Sequence, residues 1–218
     1  MFEQLDTILP GIFAGASVAY LWLAVRVSRA SAEASVNSVS HFLLLIGTMT
    51  AGSAFAYNAT DPTIYGIGRT LTFFSAGFLP VVLYNIYREY TVGKAPRLLI
   101  GLLSVIPLVS TVLAMTNDLH SMIWSIVEID GEIGFTEPDQ HLWFKRVHAP
   151  FAYGLFGFSL IAMAGRLPTI ARAHRKKIIL LLICAVLPFA VSVGNTLFRI
   201  GPIDFPFTSL TLVSVSYT

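Results

Sequence analysis

The sequence predicts an all-α membrane protein: a seven-transmembrane helix bundle, N-terminus outside, with a small extracellular β-hairpin in the loop between helices 4 and 5. Three observations carry this. Hydrophobic residues make up 55% of the 218 positions and charged residues only 12%, against roughly 25% charged in a soluble domain. Mean hydropathy is +0.73. Long uncharged apolar runs recur along the chain, and the basic residues gather in alternate loops between them.

Six runs lack Asp, Glu, Lys and Arg: 7–25, 34–60, 70–87, 98–117, 147–165 and 178–198, each of at least 18 residues. A bilayer core about 30 Å thick needs about 20 helical residues, so each run suffices for one crossing. The predicted helices cover about 8–27, 41–57, 64–87, 97–115, 148–165 and 178–198. The second starts late because its run opens with Ser35, Asn37 and Ser38. A final run, 205–218, has 14 residues and covers about 21 Å as a helix. It reads as the first part of a seventh helix. Barrel strands would alternate in polarity, whereas Ile178-Ile179-Leu180-Leu181-Leu182-Ile183 is apolar on every side. Pro80, Pro107 and Pro188 fall inside helices 3, 4 and 6, where each removes a backbone donor and can kink its helix. Asn85 and Asn195 are expected to hydrogen-bond between helices.

Ten of the 14 basic residues lie in the loops after helices 1, 3 and 5, and ten of the 12 acidic residues lie on the opposite side. The positive-inside rule makes the basic side cytoplasmic. The N-terminus is then outside and helix 7 runs inward. No basic region precedes helix 1, so no signal peptide is expected.

The longest outer segment is 116–146. Within it Ile126-Val127-Glu128-Ile129 and Glu132-Ile133-Gly134-Phe135 flank Asp130-Gly131. Asp-Gly between β-prone runs is a hairpin signal, because both turn positions need positive φ. The hairpin, about 125–136, either covers the helix ends or serves as a lid over a pocket.

Basic and acidic residues nearly balance, 14 against 12, so there is no field for nucleic acid. The single cysteine, Cys184, excludes an intrachain disulfide and a Cys-rich metal site. Candidate binding residues come from polar groups near the outer helix ends, since ionisable groups at membrane depth face the interior or a wet cavity. Arg69 lies about one turn inside helix 3, after Tyr65. It reads as a side chain snorkelling to the headgroups or as a fixed charge holding a carboxylate or phosphate. Asp204, at the outer end of helix 7, is its candidate partner. His120 and His148 bound the long outer segment. Each is either a hydrogen-bonded structural histidine or a pH-responsive group. Their separation of 28 residues is no zinc-ligand spacing, and no metal is expected. Tyr57, Tyr65, Tyr153 and Trp124 could line one aromatic pocket or form an interfacial belt.

Thr116-Asn117-Asp118-Leu119-His120-Ser121-Met122-Ile123-Trp124 resembles the signature after the fourth helix in the histidine kinase N-terminal seven-transmembrane region, a bacterial seven-helix sensor module. In that family the stretch commonly reads Thr-Asn-x-Leu-His-His-x-x-Trp/Tyr; here Ser121 stands for the second His. The similarity continues through His148-Ala149-Pro150-Phe151-Ala152-Tyr153, Arg175-Lys176-Lys177 and Pro202-Ile203-Asp204-Phe205-Pro206. It is specific over about 116–207; helices 1–3 match as apolar spans.

The resemblance implies a sensory domain in the bacterial inner membrane. It would bind an external or membrane-borne small molecule, anionic or amphiphilic, at Arg69, Tyr65, His120, Trp124, His148, Tyr153 and Asp204. Helix 7 would signal to a cytoplasmic output domain of histidine kinase or diguanylate cyclase type. Such outputs imply a homodimer in the full-length protein. The partners are then this ligand and membrane lipids, with no nucleic acid, no cofactor and no catalytic residue. A retinal protein fits poorly, because it needs a buried Schiff-base lysine and the last lysine in these 218 residues is Lys177, in a basic loop; only a lysine beyond Thr218 could supply one. The alternative is a stand-alone membrane transport or interaction subunit.

Overall fold

The computed structural model describes residues 2–30, 34–57, 59–129, 132–136, 141–170, 175–176, 178–179, 181–183, 185–186 and 189–190. The expected seventh helix at 205–218 lies outside the described residues, as do Asp204, Asn195, Pro188, Cys184, Lys177 and the turn Asp130-Gly131.

Among the described residues the helices are α1 (Phe2–Ala30), α2 (Ala34–Ala56), α3 (Pro62–Thr91), α4 (Arg97–Leu103), α5 (Val105–Met115) and α6 (Ala149–Arg166). Five stretches are long and apolar enough to cross a membrane: Ile8–Arg29, Asn37–Ala56, Pro62–Thr91, Arg97–Met115 and Phe144–Thr169. Val18, Leu98 and Ile161 are 69–76% exposed, which would be a liability in water but lets lipid chains solvate them.

The main core joins four spans. Tyr20 of α1, Phe42, Ile46 and Met49 of α2, Leu83 and Ile86 of α3, and Met163 of α6 pack together, and Ile178 and Leu182 join them. Hydrogen bonds across helices accompany this packing. Ser17 donates to the Gly47 carbonyl and Ser40 to the Ala24 carbonyl, each at 2.8 Å. Asn85 Nδ2 donates to Ser38 Oγ and Glu89 Oε1, each at 3.0 Å, so this amide links α3 to α2 as its place in an apolar run suggests.

The α2–α3 contact depends on two glycines. A Cβ at Gly52 would lie 2.6 Å from the Gly68 carbonyl oxygen, and one at Gly68 would lie 2.6 Å from the Gly52 oxygen. Even one methyl group is too large here, so the two backbones touch directly.

The prolines behave differently from one another. Pro107 removes the hydrogen bond to residue 103 and crowds its carbonyl. Helix α4 ends at Leu103 and α5 begins at Val105, with Ser104 between them. Pro80 sits inside the unbroken α3. That helix starts with Pro62 behind the N-cap Asp61, whose Oδ1 accepts from the backbone N–H of Thr63 at 2.7 Å and Ile64 at 3.1 Å. The Ile64 and Thr63 N–H groups hold this carboxyl below the usual carboxylate range, as a capping carboxylate should be held.

After α5 the chain makes a short 3₁₀ turn, Asn117–Leu119. It then forms β1 (Ile126–Ile129) and β2 (Glu132–Phe135), which pair antiparallel with Ile126 opposite Phe135 and Ile129 opposite Glu132. Thr136 continues the ladder: its N–H donates to the Ser125 carbonyl at 2.9 Å and its Oγ1 accepts from the Ser125 N–H at 2.6 Å. The fifth membrane-length stretch opens with a π-helical turn, Phe144–His148. Lys145 and Arg146 lie on this turn and are exposed, so the span starts earlier than the uncharged run beginning at residue 147 suggests. Long cationic side chains can reach water from such a position.

Candidate functional site

Two clusters contain the predicted residues. The first is at the end of the bundle that carries the strands. Asn117, 3% exposed, organises it. Its Oδ1 accepts from the N–H of Ile123 at 2.9 Å and of Trp124 at 3.3 Å, and its Nδ2 donates to the Trp124 carbonyl at 2.9 Å. One buried side chain thus replaces the backbone partners that a non-helical loop lacks. His120 works on the same loop. Its Nδ1 accepts from the Met122 N–H at 3.0 Å, and its Nε2 lies 3.1 Å from Thr116 Oγ1. Thr116 Oγ1 already donates to the Val112 carbonyl, so the network assigns the His120 proton to Nε2. Both ring nitrogens are then used within the loop. Ser121 takes φ 50°, the left-handed conformation in which His, Asn and Asp are enriched among non-glycine residues.

This loop presses Trp124 into the bundle. Trp124 and Ile123 are 3% and 0% exposed. Tyr65 meets Trp124 edge-on at 5.7 Å and stacks on Phe135 of β2 at 3.8 Å and 7°. Arg69 Nε donates to Tyr65 Oη at 2.8 Å, and its guanidinium carbon lies 4.9 Å from the Tyr65 ring centre. Arg69, Tyr65 and Trp124 therefore form one group with strand β2. His141 Nε2 lies 2.8 Å from Thr136 Oγ1 beside it.

The second cluster lies deeper. His148, 3% exposed, has Nδ1 3.0 Å from Ser110 Oγ of α5. Trp143 Nε1 donates to the same Ser110 oxygen at 3.0 Å. Residues 143 and 148 are about 140° apart on an α-helix at 3.6 residues per turn. Both reach Ser110 because the turn between them is π-helical and wider. The His148 ring packs against Phe73 at 4.9 Å and Phe144 at 5.7 Å.

His148 also lines a cavity of about 120 Å³. The walls come from three spans and from two residues beyond them: Phe42, Ile46 and Met49 of α2; Ala76, Leu79 and Pro80 of α3; Ala152, Tyr153 and Phe156 after the π turn; and Ala185 and Phe189. The α3 contributors fall near the middle of the span Pro62–Thr91.

Among these ring contacts Tyr65 joins Trp124, while Tyr153 and Tyr57 meet other rings. Tyr153 lines the cavity and faces Phe189 at 6.1 Å. Tyr57 meets Phe13 at 6.2 Å. Neither joins the contacts of Tyr65 and Trp124 described above. Asp204 lies outside the described residues. Asn117 and Ser110 carry most of the polar geometry and were given no role by sequence reasoning. Asn117 stood inside the signature itself. A lone serine in an apolar helix was the only signal for Ser110.

No curated protein and no solved structure matches the chain. The family model for the N-terminal 7TM region of histidine kinase matches residues 7–218, which includes the Asn117 loop, the π turn and every wall of the cavity. A multi-pass chain with this match belongs to the N-terminal 7TM region of histidine kinase, a membrane sensory module whose kinase activity resides in other domains.

Proposed function

We propose that this chain is a seven-span receptor domain in the bacterial inner membrane. Its N-terminus and strand-bearing loop lie outside, and its C-terminal span leads to a cytoplasmic output domain. A small molecule bound in the bundle shifts the population between two helix arrangements. Helix 7 passes the shift to a histidine kinase or diguanylate cyclase domain, in a homodimer. The observation that carries this reading is the cavity shared by three spans together with Ala185 and Phe189, because an occupant there bears on all of them at once. The alternating basic loops support the orientation.

The cytoplasmic side is tested by fusing reporters at Thr218 and in the 31–33 loop. Both are expected to report cytoplasm, and a periplasmic signal at Thr218 would remove the route to an output domain. Output activity of the full-length protein, with and without Ala152→Phe filling the cavity, tests the coupling. Unchanged output in a folded variant counts against it.

A further inference from the structure

We infer that the cavity is the ligand site and that it takes a neutral, membrane-dissolved molecule about the size of a six-membered ring, bearing one hydrogen-bond acceptor for His148 Nε2. This deepens the sensory reading above and rests on it. It departs from the anionic ligand expected at Arg69.

Size sets the first limit. The cavity is about 120 Å³, and an apolar cavity of about 150 Å³ stays dry and binds benzene. One ring or a five- to six-carbon chain fills the space. Polarity sets the second limit. Among the described residues the walls are alkyl and aromatic except for His148 and Tyr153, with no Lys, Arg, Asp or Glu. An anion there would lose its hydration with no opposite charge nearby.

The donor follows from the hydrogen bonds. Trp143 Nε1–H is a donor only, so Ser110 Oγ accepts it. If His148 Nδ1 also donated to Ser110, the serine proton would have no acceptor among the described residues. The arrangement that satisfies all three groups has Ser110 donating to Nδ1. The ring proton then sits on Nε2. Among the described residues no hydrogen bond to Nε2 is found, and His148 is 3% exposed. This donor can take one acceptor, and a ligand carbonyl or ether oxygen would supply it. Depth gives the route: the cavity lies at mid-span, so the ligand arrives dissolved in the bilayer.

The test uses the full-length protein in lipid nanodiscs, with empty nanodiscs as the partitioning baseline. Cyclohexanone and methylcyclohexane have equal numbers of heavy atoms and differ in the acceptor. Saturation-transfer NMR is expected to show saturable binding of both, with cyclohexanone about three- to tenfold tighter, the range one net hydrogen bond supplies. His148→Phe is expected to equalise the two, and Ala152→Phe to abolish saturable binding of both. Equal affinity in the unaltered protein overturns the acceptor requirement. Absence of saturable binding, as when a lipid chain end fills the space, overturns the site. Cyclohexanone that binds as expected but leaves output activity unchanged overturns the sensory reading and leaves the ligand class standing.

Discussion

The Asn117 loop and the His148 cavity lie on either side of Trp143, and they use their polar atoms in opposite ways. In the loop, Asn117 and His120 spend their hydrogen bonds on nearby backbone and on Thr116. At the cavity wall, His148 bonds Ser110 through Nδ1, and among the described residues no bond to Nε2 is found. A saturated group stabilises; a group with spare capacity can recognise. The sequence placed both histidines in one category, as two ends of a loop, and only their partners distinguish them.

Substitutions should therefore separate folding from recognition. The largest expected effect is at Asn117. Asn117→Ala leaves the buried N–H groups of Ile123 and Trp124 without acceptors and is expected to cost about 3 kcal/mol. Thermal unfolding in micelles would show it, with Trp124 emission shifting to the red. A loss below about 1 kcal/mol would mean that the loop is held mainly by packing. Ser110→Ala comes next, at about 1.5 kcal/mol, because Trp143 Nε1 loses its acceptor. Unlike Asn117→Ala, it should also weaken the cavity's preference for cyclohexanone over methylcyclohexane, since Nδ1 is no longer locked as an acceptor. A variant that loses stability but keeps the full preference would break the link between Ser110 and recognition.

Arg69→Ala is expected to cost about 1 kcal/mol, since it removes both the cation over the Tyr65 ring and the hydrogen bond to Tyr65 Oη. Binding of the neutral probes should not change. An Arg69 variant that loses cyclohexanone binding while remaining folded would return the ligand to the strand-bearing end. The smallest effect is at Asp61. Its folded carboxyl is held low, so its contribution is complete above the ordinary value of 3.8 and fades as pH falls below that value through the lower folded one. Asp61→Asn should flatten that acid limb of a melting-temperature profile and leave the neutral range nearly unchanged.

Much of the architecture was legible because a bilayer leaves few choices. Backbone groups must be satisfied within each segment, so uncharged runs predicted the stretches Ile8–Arg29 through Arg97–Met115. The β-prone runs on either side of Asp130-Gly131 are β1 and β2, and the turn itself lies outside the described residues. The start of the fifth stretch was hidden because Lys145 and Arg146 look like loop residues, while their stems can lie along a helix with the charges in water. The cavity was illegible for a different reason. It is a shortfall in volume among Ala76, Ala152, Ala185 and their aromatic neighbours, and no single residue carries that signal. Tyr153 was grouped with Tyr65 by its depth along the helix; the rotation that turns it toward Phe189 depends on the π turn.

The Gly52–Gly68 contact has a mechanical consequence. Sliding α2 by one residue, about 1.5 Å, would bring Ala56 or Thr72 atoms into a gap already too tight for a methyl group. A slide of α2 along α3 would therefore first have to part the two backbones.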